Sequence, residues 1–330
     1  MAAFICGQST GDRRMTDNKQ PEVVMIGAGP SALAAAVYTT RENITTVLLE
    51  KGVIGGLAAI TDLVDNYPGF EHGVSGLELS QKLQAQAERF GATIELNEVT
   101  GLEDQGKIKL VKTIDGDYHA KVVLIATGSD YKKVNVPGEQ EYYGRGVHYC
   151  ATCDGAFYNG KRLVVIGGGN SAAQEALFLT RFASRIDILI RSDWKASDIL
   201  VDEIDKHHKI TVHKGVRTDA IIGQDNQATK VVGTDSASGE RREFPTDGVF
   251  VFVGLKPNTG FLKDTGIELD EAGFIKTDSN LMTAMPGVFA SGDVRSGATM
   301  QIASAVGEGA TAALKIRQFL EGHTRPPTGT

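Results

Sequence analysis

Two stretches of this chain follow one hydrophobic programme. From Glu22, EVVMIGAGPSALAAAVYTTR opens on a block of apolar residues, breaks at glycines and continues into an alanine-rich run, after which ITTVLLEKG returns to an apolar block. A short apolar run bounded by glycine reads as a strand buried on both faces, and the longer run behind it as a helix packed on that strand. From Arg162, RLVVIGGGNSAAQEALFLTRF and SRIDILIR repeat the order, so the turn at Gly27 returns at Gly167. Each stretch is the strand, glycine turn, helix and strand of a βαβ unit.

KVVLIATGS, residues 121–129, predicts the strand that ends the first fold, and GVFVFVGLKPNTGF, residues 248–261, its counterpart in the second. Pro137 and Pro257 fall near the crossovers between the two. The closing stretch GVFASGDVRSGATMQIASAVGEGATAALKIRQFL reads as strand, loop and helix, too little to fold alone, so it is expected to return and complete the first domain. The predicted fold class is α/β: two Rossmann-like three-layer nucleotide-binding domains, the second inserted into the first. The expected divisions are a leader at 1–21, a discontinuous first domain at 22–130 and 258–322, an inserted domain at 131–257 and a loose tail at 323–330. The leader is polar and carries a second methionine, Met15, as a candidate start.

Composition narrows the class. A chain of 330 residues with 41% hydrophobic residues can build two cores, and its net charge of −7 argues against a nucleic-acid partner. No apolar run is long enough to span a bilayer, so a soluble cytoplasmic protein is expected. There are three cysteines, too few for a secreted disulfide framework. Cys6 lies in the polar leader and reads as incidental; Cys150 and Cys153 form a CxxC in YCATCDG.

In GAGPSA, Gly27 allows the tight turn, Gly29 lets backbone approach a pyrophosphate, and Ala32 permits close helix-on-strand packing, with Pro30 and Ser31 opening the helix whose dipole faces the phosphates. Glu50 ends the next strand, where an acidic side chain binds ribose hydroxyls. Standing alone, that glutamate would merely face solvent. Gly292 and Asp293 in the returning GVFASGD put a carboxylate at a strand end, able to accept from ribitol hydroxyls, which favours FAD over a nicotinamide in this first site. A helix start near Met300, Gln301 and Ile302 would aim at the flavin and tune it. Metal is not expected, since a single CxxC with His148 and a distant Cys6 makes a poor ligand set. One helical turn after Cys150 would favour a thiolate there, making the pair a redox centre.

Taken together, GAGPSALAAA, GGL, NYPGF, IATGS, CATCDG, GGGNSAAQEALFLTRFAS and GVFASGDV resemble the low-molecular-weight thioredoxin reductases over nearly the whole chain. The resemblance implies a homodimeric flavoprotein in which Cys153 faces the flavin, Cys150 exchanges with a substrate disulfide and Asp154 serves as acid or base. It also implies FAD contacts from Gly55, Gly56, Leu57, Asn66, Ala126, Thr127 and Gly128, a small dithiol partner such as thioredoxin or another thiol substrate, and a large domain rotation.

The second nucleotide site keeps Gly167, Gly169, Asn170 and Ser171 but departs from the family beyond them. NADPH-using members carry HRRxxxR after the second strand; here ILIRSDWKAS keeps Arg191, replaces the next cation with Ser192, adds Asp193, which would repel a phosphate, and offers Lys195 one residue out of step. Each charge-assisted hydrogen bond lost is worth about 1.5–3 kcal/mol. Trp194, the chain's one tryptophan, lies on this loop and either packs locally or stacks on an adenine or a second isoalloxazine. The family's GGQLTTTT has become Gly55 to Asp62, GGLAAITD, and its YRQ has become Thr299, Met300, Gln301, so polar groups near the flavin have turned apolar. Three readings follow: an NAD(P)H-driven reductase of a protein disulfide; a diflavin oxidoreductase with a second FAD in place of NADPH, able to run from dithiol to flavin; and a flavin-binding redox sensor without turnover, against which Asp154 beside the dithiol argues.

Overall fold

The computed structural model describes residues 20–61 and 63–324. The expected leader up to residue 19, with Cys6 and Met15, lies outside the described residues, as do Asp62 and the tail from residue 325. The last helix, Ile302–Thr324, takes in the first two residues of that expected tail.

The apolar blocks form two five-stranded parallel sheets. In the first the order is Val288–Ala290, Val122–Ile125, Val23–Ile26, Thr46–Glu50, Thr93–Leu96. In the second it is Val147–His148, Gly248–Val251, Arg162–Ile166, Arg185–Ile190, Ile210–Lys214. Both sheets thus use one order, and in both the strand beyond the closing one comes from out of sequence: the returning segment for the first, the strand just before the dithiol for the second.

Each sheet is the middle of three layers, and the alternation of its strands shows why. Val23 and Met25 face a core with Ala32, Leu33, Ala36 and Ile316, while Val24 and Ile26 face one with Leu102, Val111 and Tyr118. The first core lies under the helices Pro30–Arg41 and Ile302–Thr324, the second under a three-stranded antiparallel meander, residues 99–120. In the other domain Leu163 and Val165 pack under helix Asn170–Leu179, and Val164 and Ile166 against a second meander, residues 216–245. Burial on both faces is what makes these strands continuous apolar runs, and each such Val, Ile or Leu contributes about 1.5–3 kcal/mol.

The two crossovers pair with each other. Ser129–Tyr131 runs antiparallel to Leu255–Pro257, with Tyr131 opposite Leu255. Pro257 lies buried in this ribbon, whereas Pro137 is exposed beyond it, its carbonyl accepting from Ile221 N of the second meander at 2.9 Å. Among the described residues no helix is long and apolar enough to cross a membrane.

Candidate active site

The first glycine turn is fixed by its neighbours. Gly27 has φ 99°, and a Cβ there would lie 2.5 Å from the Ala126 carbonyl oxygen, so the strand can turn this close only with glycine. At Gly29 a Cβ would meet nothing within 4 Å; the backbone borders open space where a phosphate can approach it. Helix Pro30–Arg41 starts there with proline in its first turn and no side-chain cap, leaving its first turn to a ligand. Glu50 does not simply face solvent. Its Oε2 accepts from Ala28 N and its Oε1 from Gly52 N, both at 2.8 Å, which ties the strand end to the turn.

A cavity of about 570 Å³ opens from this turn. Of the residues expected to hold the first cofactor, Ala32 and Gly55 stand back from it, Ala32 in the core and Gly55 against Ser80. Gly27, Gly29, Pro30, Ser31, Glu50, Gly56, Leu57, Asn66, Ala126, Thr127, Gly128, Gly292, Asp293, Met300, Gln301 and Ile302 all line it. Met300 adopts a left-handed φ of 57°, uncommon outside glycine, and Asn66 Nδ2 donates to Gln301 Oε1 at 3.1 Å. The cradle therefore fits an extended dinucleotide, with open backbone at the turn, a carboxylate at each of two strand ends and a helix start at the far side.

The same cavity is lined by Cys150, Cys153 and Asp154. The two cysteines are joined in a disulfide with Cα atoms 5.3 Å apart. Cys150 caps the single helical turn Ala151–Asp154, its sulfur accepting from Cys153 N at 3.1 Å. First cradle and dithiol, from different domains, thus share one space.

Several lining residues carry no signal in the motifs. Tyr131 and Tyr149 stack at 5.2 Å between ring centroids, and Tyr149 Oη donates to the buried Glu139 at 2.9 Å. Burial pushes the Tyr131 phenol well up, aided by the charges of Asp293 and Asp154. Asp293 is itself pushed up to about 6, by burial first and Glu308 second. Glu308, from the last helix, accepts from Gly292 N at 2.8 Å and clasps Arg295 with bonds of 2.6 and 3.2 Å. It holds the Asp293 loop, and its partners are brought to it only by the fold.

The second glycine turn copies the first. A Cβ at Gly167 would run into the Phe252 carbonyl oxygen, while Gly169 again borders open space. Asn170 and Ser171 open helix Asn170–Leu179, and Asn170 Oδ1 accepts from Ser197 N at 2.8 Å, tying down the loop that follows the second strand. Lys195 is anchored by its backbone, its N–H donating to Gly168 O at 2.7 Å. Arg191 and Lys195 are exposed. Asp193 accepts from Lys214 Nζ at 2.8 Å, and that ammonium holds its carboxyl below the usual range. Trp194 is half-buried: its ring packs against the helix-side core of the inserted domain, with Nε1 buried and lacking a hydrogen-bond partner among the described residues.

Known proteins match this geometry along the chain. The family described as pyridine nucleotide-disulphide oxidoreductase matches residues 21–309. The thioredoxin reductase of Bacillus subtilis (strain 168) is 41% identical over 308 residues, 93% of this chain and 97% of that protein. The solved thioredoxin reductase of Streptococcus pyogenes MGAS5005 is 38% identical with a TM-score of 0.89, covering 93% of this chain and 100% of that one. The Lactococcus lactis thioredoxin reductase, in a structure titled as its FR conformation, is 42% identical with a TM-score of 0.63, covering 92% and 99%. With its two parallel-sheet folds and its CxxC disulfide, the chain belongs to the pyridine nucleotide-disulphide oxidoreductases and, among them, to the low-molecular-weight thioredoxin reductase family.

Proposed function

We propose that this flavin-dependent disulfide oxidoreductase runs as a reductase, taking electrons from a reduced pyridine nucleotide in the inserted domain and passing them through FAD and Cys150–Cys153 to a thioredoxin-like dithiol protein. The observation that carries it is the shared cavity: the dithiol of one domain borders the dinucleotide cradle of the other. FAD, when bound, supplies the two-electron step between nucleotide and disulfide.

The protein's own groups divide the work. Gly27, Gly29 and the start of helix Pro30–Arg41 hold the pyrophosphate, Glu50 the ribose and Asp293 the ribitol. Met300, Gln301 and Ile302 border the ring. Cys153 faces it, Cys150 meets the substrate, and Asp154 moves a proton to or from the sulfur that becomes a thiolate. The working units are residues 22–130 with 258–322, and 131–257. Gly167 and Gly169 cradle the nucleotide's pyrophosphate. Arg191 and Lys195 are exposed cations within reach of a 2′-phosphate, while Asp193 opposes it. The packing of Trp194 against the inserted domain's core lends no support to stacking on a second isoalloxazine, and the intact glycine cradle supports the pyridine nucleotide.

One arrangement cannot put the dithiol both on the flavin and on a protein partner, so the inserted domain turns on the crossover ribbon. Two relatives of similar identity superpose on this chain at TM-scores of 0.89 and 0.63, as rigid reorientation of one domain would produce. Family membership also supports a homodimer, which sedimentation velocity tests, and a dithiol in exchange suits a reducing cytoplasm.

Anaerobic mixing with NADPH, followed by flavin absorbance, tests the electron source. Prompt bleaching is expected, with thioredoxin restoring the oxidised spectrum. A flavin that bleaches with a dithiol but not with NADPH or NADH would overturn the reading and return the second site to another ligand.

A further inference from the structure

We propose that His148 is a positioning residue for the dithiol: it holds the Asp154 carboxylate beside Cys153, is itself held by Tyr158, and through that carboxylate sets how readily the sulfurs lose their protons. The inference rests on Asp154 being the acid or base of the reading above.

His148 ends the edge strand Val147–His148, two residues before Cys150. Its Nδ1 lies 3.3 Å from Asp154 Oδ2, and its Nε2 lies 2.6 Å from Tyr158 Oη. Both rings are buried, at 8% and 7% exposure. The imidazole stacks on Phe250 with centroids 5.2 Å apart, and Tyr158 meets Phe250 edge-on at 5.6 Å. Ring plane and position are therefore fixed by packing, and only the proton remains to be assigned. A neutral imidazole has one N–H. Tyr158 stays a donor, since burial above all, then the charges of Asp154 and Asp247, pushes its phenol up to about 12. Its O–H donates to Nε2, so the ring N–H is on Nδ1, the nitrogen that lies 3.3 Å from Asp154 Oδ2.

Acidic groups stand nearby, Asp247 near Tyr158 and Glu175 on helix Asn170–Leu179, which packs on the dithiol turn; Lys161 and Arg162 follow Tyr158 on the way to the next strand. In that setting the positive end of an N–H dipole 3.3 Å from the Asp154 carboxylate offsets negative charge next to the sulfurs. Reducing the disulfide breaks its S–S bond with two electrons and needs two protons to reach the dithiol. A bound reduced flavin would supply the electron pair and one proton; Asp154, in its protonated form, would supply the second proton to sulfur, and His148 would stabilise the carboxylate that remains.

The test uses the FAD-loaded protein reduced chemically with excess phosphine, then alkylated with iodoacetamide across pH 5 to 10 and read by mass spectrometry. Neither nucleotide nor thioredoxin enters, so failure of NADPH to bleach the flavin would leave the result standing. His148→Ala is expected to move the alkylation midpoint up by about one pH unit. His148→Asn, which keeps an N–H at the Nδ1 position, should return it toward wild type. Tyr158→Phe, which keeps the ring but frees Nε2, should shift it in the same direction and carries the test if His148→Ala does not fold. In an Asp154→Asn background His148→Ala should shift nothing further. Midpoints for His148→Ala and Tyr158→Phe that coincide with wild type, or a His148→Ala shift that persists without Asp154, would overturn the proposal while leaving the reductase reading intact.

Discussion

Asp293 shows what one side chain carries at this site. Its folded pKa of about 6 lies above the ordinary carboxyl value, so the folded protein holds a proton that the unfolded chain releases. The stability this contributes is complete below about pH 4 and is lost as pH rises through 6, a difference of roughly 1–3 kcal/mol. Asp270 and Asp187 are held below the usual range and act in the opposite sense, so the comparison must be between variants. In flavin-free protein, Asp293→Asn should gain melting temperature relative to wild type between pH 4.5 and 7; a constant difference across that range would remove the effect. The carboxylate itself was legible in GVFASGD, but its burial was not, because Glu308 and Tyr131 reach it only through the fold. Trp194 is the reverse case. ILIRSDWKAS exposes the residue to view without saying which way the ring turns, and the fold lays it against the inserted domain's core. His148 read as a poor metal ligand, since its partners Tyr158 and Phe250 are brought to it by burial rather than by spacing.

At the scale of elements, length decides what could be read. The four- and five-residue apolar strands and the long helices have a period to recognise. Val147–His148 and the crossover ribbon, two and three residues long, have none, yet they carry the dithiol and join the domains. The last helix was visible as an alanine-rich run, but its two inward functions were not. A Cβ at Gly309 would run into the Ser31 carbonyl, so the helix crosses the first one at backbone distance, and the neighbouring Glu308 clasps the loop carrying Asp293. Glu308→Ala leaves Gly292 N–H and the half-buried Arg295 without that acceptor. The expected cost is about 1–3 kcal/mol, read as a lower melting temperature together with faster FAD loss on gel filtration. A variant that loses stability but keeps FAD as tightly as wild type would confine Glu308 to packing.

For the whole molecule, the proposed rotation raises the question of where the inserted domain would turn. On the side of the first domain the ribbon is closed: Thr127 Oγ1 donates to Asn258 O at 2.8 Å, Asn258 Nδ2 to Thr127 O at 3.1 Å, and Asn258 N to Gly128 O at 3.0 Å. On the side of the inserted domain Glu139 accepts from Val134 N, Asn135 N and Tyr149 Oη, which binds the outgoing chain to the dithiol strand. Between these two clasps lie Lys132 and Lys133 on one strand and Gly254 opposite, joined by the Lys132 N to Gly254 O bond of 3.0 Å. Gly254 has φ 109°, a conformation that costs other residues about 1–3 kcal/mol. The pivot is therefore expected at this glycine. Gly254→Ala should lower steady-state turnover of a protein disulfide roughly tenfold, by restricting the angles through which the ribbon passes. Chemical reduction of Cys150–Cys153 by a small phosphine needs no reorientation and should keep its wild-type rate. If both rates fall together, Gly254 serves local folding; if neither does, the bodies turn about some other point, and the clasps at Asn258 and Glu139 are the next places to look.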